Sequence, residues 1–598
     1  MQLSEFILLE NFKDQDYQGW LYTQPVDELR VDQAHKFNAV LEKIQAAQKK
    51  GLHLAGYINY EAGFLLQPKL NSRLQLTSAP LLHFLIFKKR QAITRQQREN
   101  IFAKIPKTEL PLVLYNFNFE MQRNVYLERF AKLQEHLKAG DTYQVNFTSR
   151  YEFDLQGSTW EFYNKLCERQ RVTFSGYLKF SDYAILSLSP ELFFRKIGDK
   201  IHVCPMKGTA ARNSDLTLDQ AAREFLATDT KNKAENIIIV DLLRNDLSRI
   251  AKTGSVGVVK LCSIEDFETV YQMTSTIEAK IDPNISFKTM LQALFPCGSI
   301  TGAPKIRTME IIQDLEVSPR EIYTGAIGFI TPDNDMCFNV AIRSLYLKNN
   351  HAVLGVGGGI TIHSEGEGEW EEMHLKANFL TRLSKDFSLI ETLAWTREKG
   401  YLFFENHLLR LVDSARNLSF ICKINKIKHD LLELISQFSK PAYRIRLVLN
   451  SNGKYEISFF ELESAQNHPV NIALSVNSIN ENNILFQYKT THASTRGFYQ
   501  SELARIQEKN DVFEVIFQNR EGFITEGTRF NLMIDINGKM FTPSVKSGLL
   551  PGVYRQYLLD QKDCQEREIT SADLQAAQQI FLINSVRGLI PAKFVGIK

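Results

Sequence analysis

At 598 residues the chain exceeds what one hydrophobic core organises, and about 150 residues per domain allows roughly four units or two large ones. Its 44% hydrophobic and 11% aromatic content is that of an ordinary folded protein, and a net charge of +3 supplies no field that would draw nucleic acid or a membrane surface. The seven cysteines include no Cys-x-x-Cys pair, which excludes a zinc cage or a disulfide framework and points to a reducing, cytoplasmic setting.

In chain order, the opening MQLSEFILLENFKD lacks a basic segment followed by an apolar one, and no apolar run approaches the roughly 20 residues of a membrane helix. Neither export nor a membrane span is expected. Tyr177 to Leu188, Ile322 to Ile330 and Ala352 to Val356 read as β-rich runs. Between them, in AENIIIVDLLRNDLSRIA, Ile239, Leu243, Leu247 and Ile250 recur at helical spacing while Asp241, Arg244 and Asn245 fall elsewhere, predicting a half-buried helix. GEWEEMHLKANFLTRLSKDF predicts another helix, and the pattern restarts with a strand over Leu389 to Trp395. That restart places a boundary between domains at 1–385 and 386–598. In the second domain, strands such as RIRLVL, IALSV and VFEVIFQ alternate with helices such as HLLRLVDSARNLSF, an α+β pattern.

Two lysines carry candidate chemistry. Lys207, in Pro205-Met-Lys-Gly-Thr209, is an ordinary surface charge unless desolvation or a nearby cation frees its amine as a nucleophile. Glu369 and Glu372 lie one turn apart on a helix with Lys376 a further turn along, and Glu235 opens another helix. Carboxylates from two helices suit Mg²⁺; the plainer reading is a pair of acidic helix starts favoured by the macrodipole. Gly357-Gly-Gly359 is followed by no Rossmann helix, and Gly298 to Lys305 is no Walker loop because Ala303 and Pro304 precede the lysine. Lys489, Glu526 and the Gly548 to Arg555 run offer an amine, a carboxylate and a helix start able to cradle an anion, the set an aldehyde cofactor such as pyridoxal phosphate requires.

Taken in order, Ser189-Pro-Glu191, Pro205 to Thr209, Ala234-Glu235-Asn236, Asp241 to Leu247, Gly298 to Lys305, Tyr323 to Gly328, Ala341-Ile-Arg343 and Gly357 to Gly359 resemble the chorismate-utilising enzymes, in their aminodeoxychorismate synthase component I branch. The resemblance implies a β-sandwich core with surrounding helices and Mg²⁺ held by Glu235 and Glu372 with Glu369 nearby. It also implies substrate contacts from Thr301, Tyr323, Arg343, Gly357, Gly358, Gly359 and Lys376, and Glu191 as general acid and base. Lysine at 207, where anthranilate synthases have alanine, implies a covalent amine intermediate on the way to 4-amino-4-deoxychorismate. Where many relatives carry histidine this chain has Gln272, which donates and accepts but does not titrate near neutrality. No Gly-x-Cys-x-Gly elbow is present, so the resemblance implies ammonia from a separate glutamine amidotransferase subunit.

Glu391-Thr392, His407 to Leu411, Lys489, Glu526, Gly548 to Arg555 and Asn584 to Gly588 resemble the fold-type IV pyridoxal phosphate enzymes, which include aminotransferases and 4-amino-4-deoxychorismate lyase. By that likeness Lys489 carries the cofactor, Glu526 meets its ring nitrogen, and Arg410, Val553, Tyr554 and Ser585 meet its phosphate. The family offers a homodimer through this domain. The segment begins almost at Glu391, however, without the strands that free-standing members place first. The pairing of the two halves implies a bifunctional enzyme that turns chorismate into 4-aminobenzoate and pyruvate for folate synthesis. Transamination by the second half, and anthranilate formation by the first, are the alternatives.

Overall fold

Strands Leu82–Phe87 and Tyr183–Ser189 are buried at every position, the mark of sheets covered on both faces. The computed structural model describes residues 4–12, 17–75, 77–105, 108–213, 215–266, 270–383, 385–462 and 468–598. Among them, the first half forms two ten-stranded sheets. One runs from Gly302–Ala303 through Gln144–Gln156, His351–Ile360, Ser344–Lys348, Tyr183–Ser189, Phe174–Lys179, Phe6–Asn11 and Gln18–Thr23 to Gln91–Ile93. The other runs from Met206–Ala211 through Val270–Lys280, Lys200–Cys204, Leu192–Ile197, Met336–Val340, Ala326–Ile330, His53–Ile58 and Leu82–Phe87 to Asp27–Val31.

Ile7, Tyr22, Leu178 and Ile185 of the first sheet meet Ala55, Tyr57, Leu85 and Ile327 of the second in one apolar layer. Alternate residues of the second sheet, such as Leu54, Ile58, Phe84 and Phe338, pack against helices Phe37–Lys49, Thr230–Ser248 and Phe287–Leu294. This is the expected sandwich with surrounding helices.

Local expectations shift where backbone sterics intervene. Tyr177 to Leu188 is a hairpin of two strands, Phe174–Lys179 and Tyr183–Ser189, not one run. Ile322 to Gly325 is a turn, because Glu321 and Thr324 adopt positive φ values of 54° and 61°, and the strand starts only at Ala326. The helix Thr230–Ser248 is capped by the Asp229 carboxylate, which accepts from the Asn232 amide at 2.8 Å, and it buries Ile239, Leu243 and Leu247 as its periodicity predicts. Ile250 lies beyond its end. The helix of GEWEEMHLKANFLTRLSKDF is two pieces, Gly366–Lys376 and Asn378–Thr381, and stops six residues short of Phe387.

The described chain divides into two compact units, 1–107, 118–153 and 159–381 against 108–117, 154–158 and 382–598. The second unit holds a four-stranded sheet, Gly400–Tyr401, Leu389–Thr396, Ala442–Leu449 and Tyr455–Glu461, backed by helices Phe404–Asn417 and Ile424–Glu433. It also holds a mixed eight-stranded sheet in which Val470–Leu474 lies parallel to Glu514–Gln518 and to Gly588–Ile597.

One buried ion pair ties strand Phe6–Asn11 to the first unit. Glu10 is 3% exposed and accepts from Arg98 Nε at 2.5 Å, from the Tyr163 hydroxyl at 2.8 Å and from the Tyr17 hydroxyl. Arg98 stands on helix Arg95–Phe102, which opens with a capping box between Thr94 and Gln97. Arg98→Met strands a buried carboxylate, and such a loss costs about 3–5 kcal/mol. The urea midpoint of the first unit, followed by tryptophan fluorescence, is expected to fall accordingly; an unchanged midpoint would show that the pair does not hold the strand.

Candidate active sites

The first site forms where strand edges from both sheets of the first unit meet. Lys207 lies on the edge strand Met206–Ala211, and Glu191 lies just before Leu192–Ile197. The Lys207 amine donates to the Ser299 carbonyl at 3.2 Å, and the Ser299 hydroxyl donates to Glu191 Oε1 at 2.6 Å. Ser299 therefore ties amine and acid together from the turn Gly298–Ile300. Burial raises the Glu191 pKa and lowers that of Lys207, each opposed by the attraction between them. Both shifts favour the neutral forms, and a neutral amine is what a nucleophilic lysine requires.

Strand His351–Ile360 supplies the glycines. A Cβ at Gly359 would lie 3.3 Å from the Lys207 amine and 2.5 Å from Gln144 Nε2, and one at Gly358 would lie 3.2 Å from Glu369 Oε2. Lys376 donates to the Gly357 carbonyl at 3.0 Å and pairs with Glu372 at 2.8 Å. Tyr323 is buried, and burial lowers the Arg343 pKa to about 10. The Arg343 carbonyl accepts from the Leu188 amide at 3.0 Å, while its side chain has no hydrogen-bond or ion-pair partner among the described residues, which leaves the guanidinium available to an anion. The Thr301 hydroxyl turns back to the Cys297 and Gly298 carbonyls, at 3.0 and 3.3 Å, closing its own turn.

Burial raises the pKa of Glu235 and of Glu369, and Glu372 lies near enough to add to both shifts, so the three carboxylates face a common region. Their oxygens do not converge as a ligand set within 4.8 Å; among the described residues only His429, Asp430 and Glu433, elsewhere on an exposed helix face, come that close. Three carboxylates turned to one region are nonetheless the oxygen donors a divalent cation suits. Gln272 clamps the lysine's own backbone, donating to the Gly208 carbonyl at 2.8 Å and accepting from the Thr209 hydroxyl at 2.9 Å.

The second site lies in the second unit. The Lys489 amine donates to the Thr392 hydroxyl at 2.8 Å, and the Lys489 carbonyl accepts from the Ile390 amide at 2.8 Å, which fixes the lysine beside strand Leu389–Thr396. Burial pushes its amine down to about 7; Glu391 resists, and Arg410, Arg496 and Arg446 add to the fall. Glu526 is pushed up by burial to about 8 and accepts from Tyr499 and from Asn531, both at 3.1 Å. A buried carboxyl with no cation bonded to it suits a ring nitrogen that can bring a positive charge.

Arg410 pairs with Glu391 at 2.7 Å, and its other terminal nitrogen donates to the Pro551 carbonyl at 3.5 Å, at the start of helix Val553–Asp560. The helix start carries Val553 and Tyr554. Gly552 is required there, because a Cβ would stand 2.0 Å from Asn531 Oδ1. Ser585 sits in a turn where Asn584 Oδ1 accepts from the Val586 and Arg587 amides at 3.1 and 2.8 Å. His407 donates through Nδ1 to Glu391 at 2.7 Å, and its other ring nitrogen is buried without a partner. An activated amine, a buried carboxyl, a helix start and an arginine together fit pyridoxal phosphate.

Three residues carry roles that motif reading left unassigned: Ser299, Gln144 and Asn531. Ser299 lies within the Gly298 to Lys305 run, so its position was visible and its bonding was not. Gln144 reaches its site only through long-range strand pairing, whereas Asn531 lies five residues beyond Glu526, to which it donates.

Residues 4–382 match the sequence model of the chorismate binding enzymes, and residues 388–595 match that of the class IV aminotransferases. Aminodeoxychorismate synthase component 1 of Escherichia coli is 40% identical over 266 residues, 44% of this chain and 59% of that protein. The corresponding protein of Klebsiella aerogenes is 39% identical over 258 residues, 43% of this chain and 57% of that protein. The chain thus spans under three fifths of the length of these relatives. Anthranilate synthase component I from Streptococcus pneumoniae, 24% identical, shares the fold with a TM-score of 0.53 over 60% of this chain and 91% of its own. With the family match covering well over half of its length, this chain belongs to the chorismate binding enzymes and carries a class IV aminotransferase-type segment behind that part.

Proposed function

We propose that the chain converts chorismate to 4-aminobenzoate, the first unit aminating the ring and the second releasing pyruvate. The observation that carries this reading is the Lys207–Ser299–Glu191 connection beside the glycine strand. The names of the relatives support the amination step.

In the first unit the Lys207 amine attacks ring C2 while the C4 hydroxyl leaves as water, taking its proton from Glu191. Ammonia then attacks C4, the Lys207 nitrogen leaves C2 with its bonding pair, and Glu191 recovers a proton from the incoming nitrogen. Arg343, Tyr323 and the amides of Gly357, Gly358 and Gly359 take the substrate carboxylates, with Thr301 and Lys376 lining the site. Mg²⁺ held by Glu235 and Glu372, with Glu369 beside them, would offset the charge of the ring carboxylate. Ammonia comes from a separate glutamine amidotransferase subunit, and the setting is cytoplasmic.

In the second unit, pyridoxal phosphate carried on Lys489 would supply an electron sink, its ring nitrogen at Glu526 and its phosphate at Arg410, Val553, Tyr554 and Ser585. Lys489 takes the proton from the amine-bearing ring carbon and returns one to the departing enolpyruvyl group. The gain of an aromatic ring drives pyruvate loss. A homodimer through this unit belongs to the same reading. The class IV aminotransferase match also admits transamination, which consumes an amino donor and a keto acid and releases no pyruvate from the ring.

The deciding measurement incubates the chain with chorismate, Mg²⁺, ammonium and pyridoxal phosphate and identifies products by mass. 4-Aminobenzoate with pyruvate is expected; anthranilate would refute the role of Lys207. Lys207→Ala is expected to lose amination by at least about 100-fold while still cleaving supplied aminodeoxychorismate, and Lys489→Ala to accumulate that intermediate. A Lys489→Ala chain that still releases pyruvate would remove the cofactor assignment.

The free amine of Lys489 also has a readable pH dependence. Because burial lowers its pKa to about 7, the amine is protonated below that pH and reactive above it. In cofactor-free protein, the rate at which pyridoxal phosphate becomes fixed to Lys489 under borohydride is expected to rise with pH and be half-maximal near 7. A midpoint near that of a free lysine, about 10.4, would show the amine to be solvated.

A further inference from the structure

Two motif runs of the first unit carry charged residues that the amination steps leave unused. Asp246 lies in the Asp241 to Leu247 run, and Lys305 ends the Gly298 to Lys305 run. The Lys305 amine donates to Asp246 Oδ2 at 2.6 Å and to the Leu294 carbonyl at 3.0 Å. The two side chains are 10% and 7% exposed, so the pair is screened from water. Burial pushes the Asp246 carboxyl up, and Lys305 opposes that push.

On helix Thr230–Ser248, Glu235, Ile239, Leu242 and Asp246 follow one another at helical steps, which places them on one stripe, and Arg249 continues it just past the helix end. The later part of that stripe is fastened to the connection between helices Phe287–Leu294 and Lys305–Leu315. A Cβ at Gly298 would lie 2.6 Å from Leu242 Cδ2, so the turn there sits directly on the helix, and Arg249 donates to the Ala293 carbonyl at 3.2 Å. With the Lys305–Asp246 bond, the connection is held at both ends and in its middle.

Ser299 stands inside this connection, beside the Gly298–Leu242 contact. Its hydroxyl meets Glu191 at 2.6 Å and its carbonyl meets the Lys207 amine at 3.2 Å. The Thr301 hydroxyl bonds back to the Cys297 and Gly298 carbonyls, so 297–301 form one stiff piece. On the sheet side Gly302 pairs with Val145, and Arg320 donates to the Ile300 carbonyl at 2.9 Å. Those bonds hold the turn against the sheet, and the ion pair sets its place along the helix. A hydrogen bond weakens steeply as it bends, so a slip of the turn along the helix reaches Glu191 through Ser299.

We propose that Asp246 and Lys305 are positioning residues of the first site: their ion pair locks the Ser299 turn to the helix that carries Glu235 and so keeps the Ser299 hydroxyl on Glu191. The assignment rests on the amination reading of the first unit and adds to it two residues that touch neither substrate nor metal. An apolar pair would fill the same space without a bond that fixes the turn in register.

The test uses the full chain. Replacing one partner alone strands a buried charge, so the informative variant is the exchange Asp246→Leu with Lys305→Met, which fills the space and removes the bond. Its urea midpoint and its cleavage of supplied aminodeoxychorismate are expected to match the parent's. Its kcat for amination is expected to fall about tenfold or more, with KM for chorismate little altered. Ser299→Ala is expected to lose kcat to the same order, and adding the exchange to it to cost no more than about twofold further, because both act through one hydroxyl. Losses that multiply to about a hundredfold would overturn the proposal, as would an exchange variant that aminates as the parent does. Should the apolar exchange lower the urea midpoint, Lys305→Arg, which keeps the charge but displaces the bond, takes its place in the same cycle. A second readout needs no turnover: the infrared carboxyl band of Glu191, identified by its disappearance in Glu191→Gln. The exchange is expected to move that band to where Ser299→Ala puts it. If the parent chain does not aminate chorismate, the amination reading falls and the band alone decides the pair: a shift keeps the positioning role, and an unmoved band removes it.

Discussion

The glycines at 355, 357, 358 and 359 of strand His351–Ile360 are the constraint on which the first site depends. A Cβ at Gly355 would fall 2.1 Å from the Tyr323 ring, and one at Gly357 would fall 2.5 Å from the Phe147 carbonyl. With Gly359 against Gln144 and Lys207, three positions on one strand bring backbone to within contact of groups that reach in from other elements. Any larger residue would push back the Tyr323 turn, the neighbouring strand Gln144–Gln156 or the lysine edge. The glycine run that invites a nucleotide-loop reading serves instead to let backbone approach Gln144, Glu369 and Lys207.

Burial acts on every charged group in the interior, and the chain answers it in two ways. Glu10 with Arg98, Glu316 with Arg320, and Glu391 with Arg410 and His407 are matched pairs. Against the upward push of burial, Arg410 and His407 hold the Glu391 carboxyl well below the usual range. Those pairs fix strands and helices. At the two sites the same desolvation is left partly unanswered: Glu191 and Glu526 are raised, and Lys207 and Lys489 are lowered. Glu391 and the carboxyls of Glu191 and Glu526 thus differ less in how deeply they are buried than in whether a countercharge is bonded to them.

Much of this was legible in sequence. Helix Thr230–Ser248 follows from its period, although it begins five residues before Glu235, which the sequence placed at its opening, and the lysines and glutamates of each site sit in short ordered runs. What was hidden depends on partners far apart in the chain. Ser299 meets Glu191 across 108 positions, and Thr392 meets Lys489 across 97. Gln272 read as a lost proton carrier, yet its amide bonds both the carbonyl and the hydroxyl of the turn after Lys207, a task that needs a donor and an acceptor but no titration. The turn at Thr324 was missed because a β-rich composition does not reveal a left-handed residue.

The second unit is discontinuous in the chain. Residues 108–117 and 154–158, which precede most of the first unit's strands, group with 382–598. Gln156 accepts from the Ile484 amide at 2.7 Å and donates to Asn483 at 3.2 Å, a few residues before Lys489, and Glu109 pairs with Arg520 at 2.7 Å. A gene cut at the point where the two family matches adjoin would therefore not yield two whole bodies. The carboxy-terminal piece would leave behind the glutamine that braces the approach to its own lysine, so the body that holds Lys489 is built from three stretches of chain, not one.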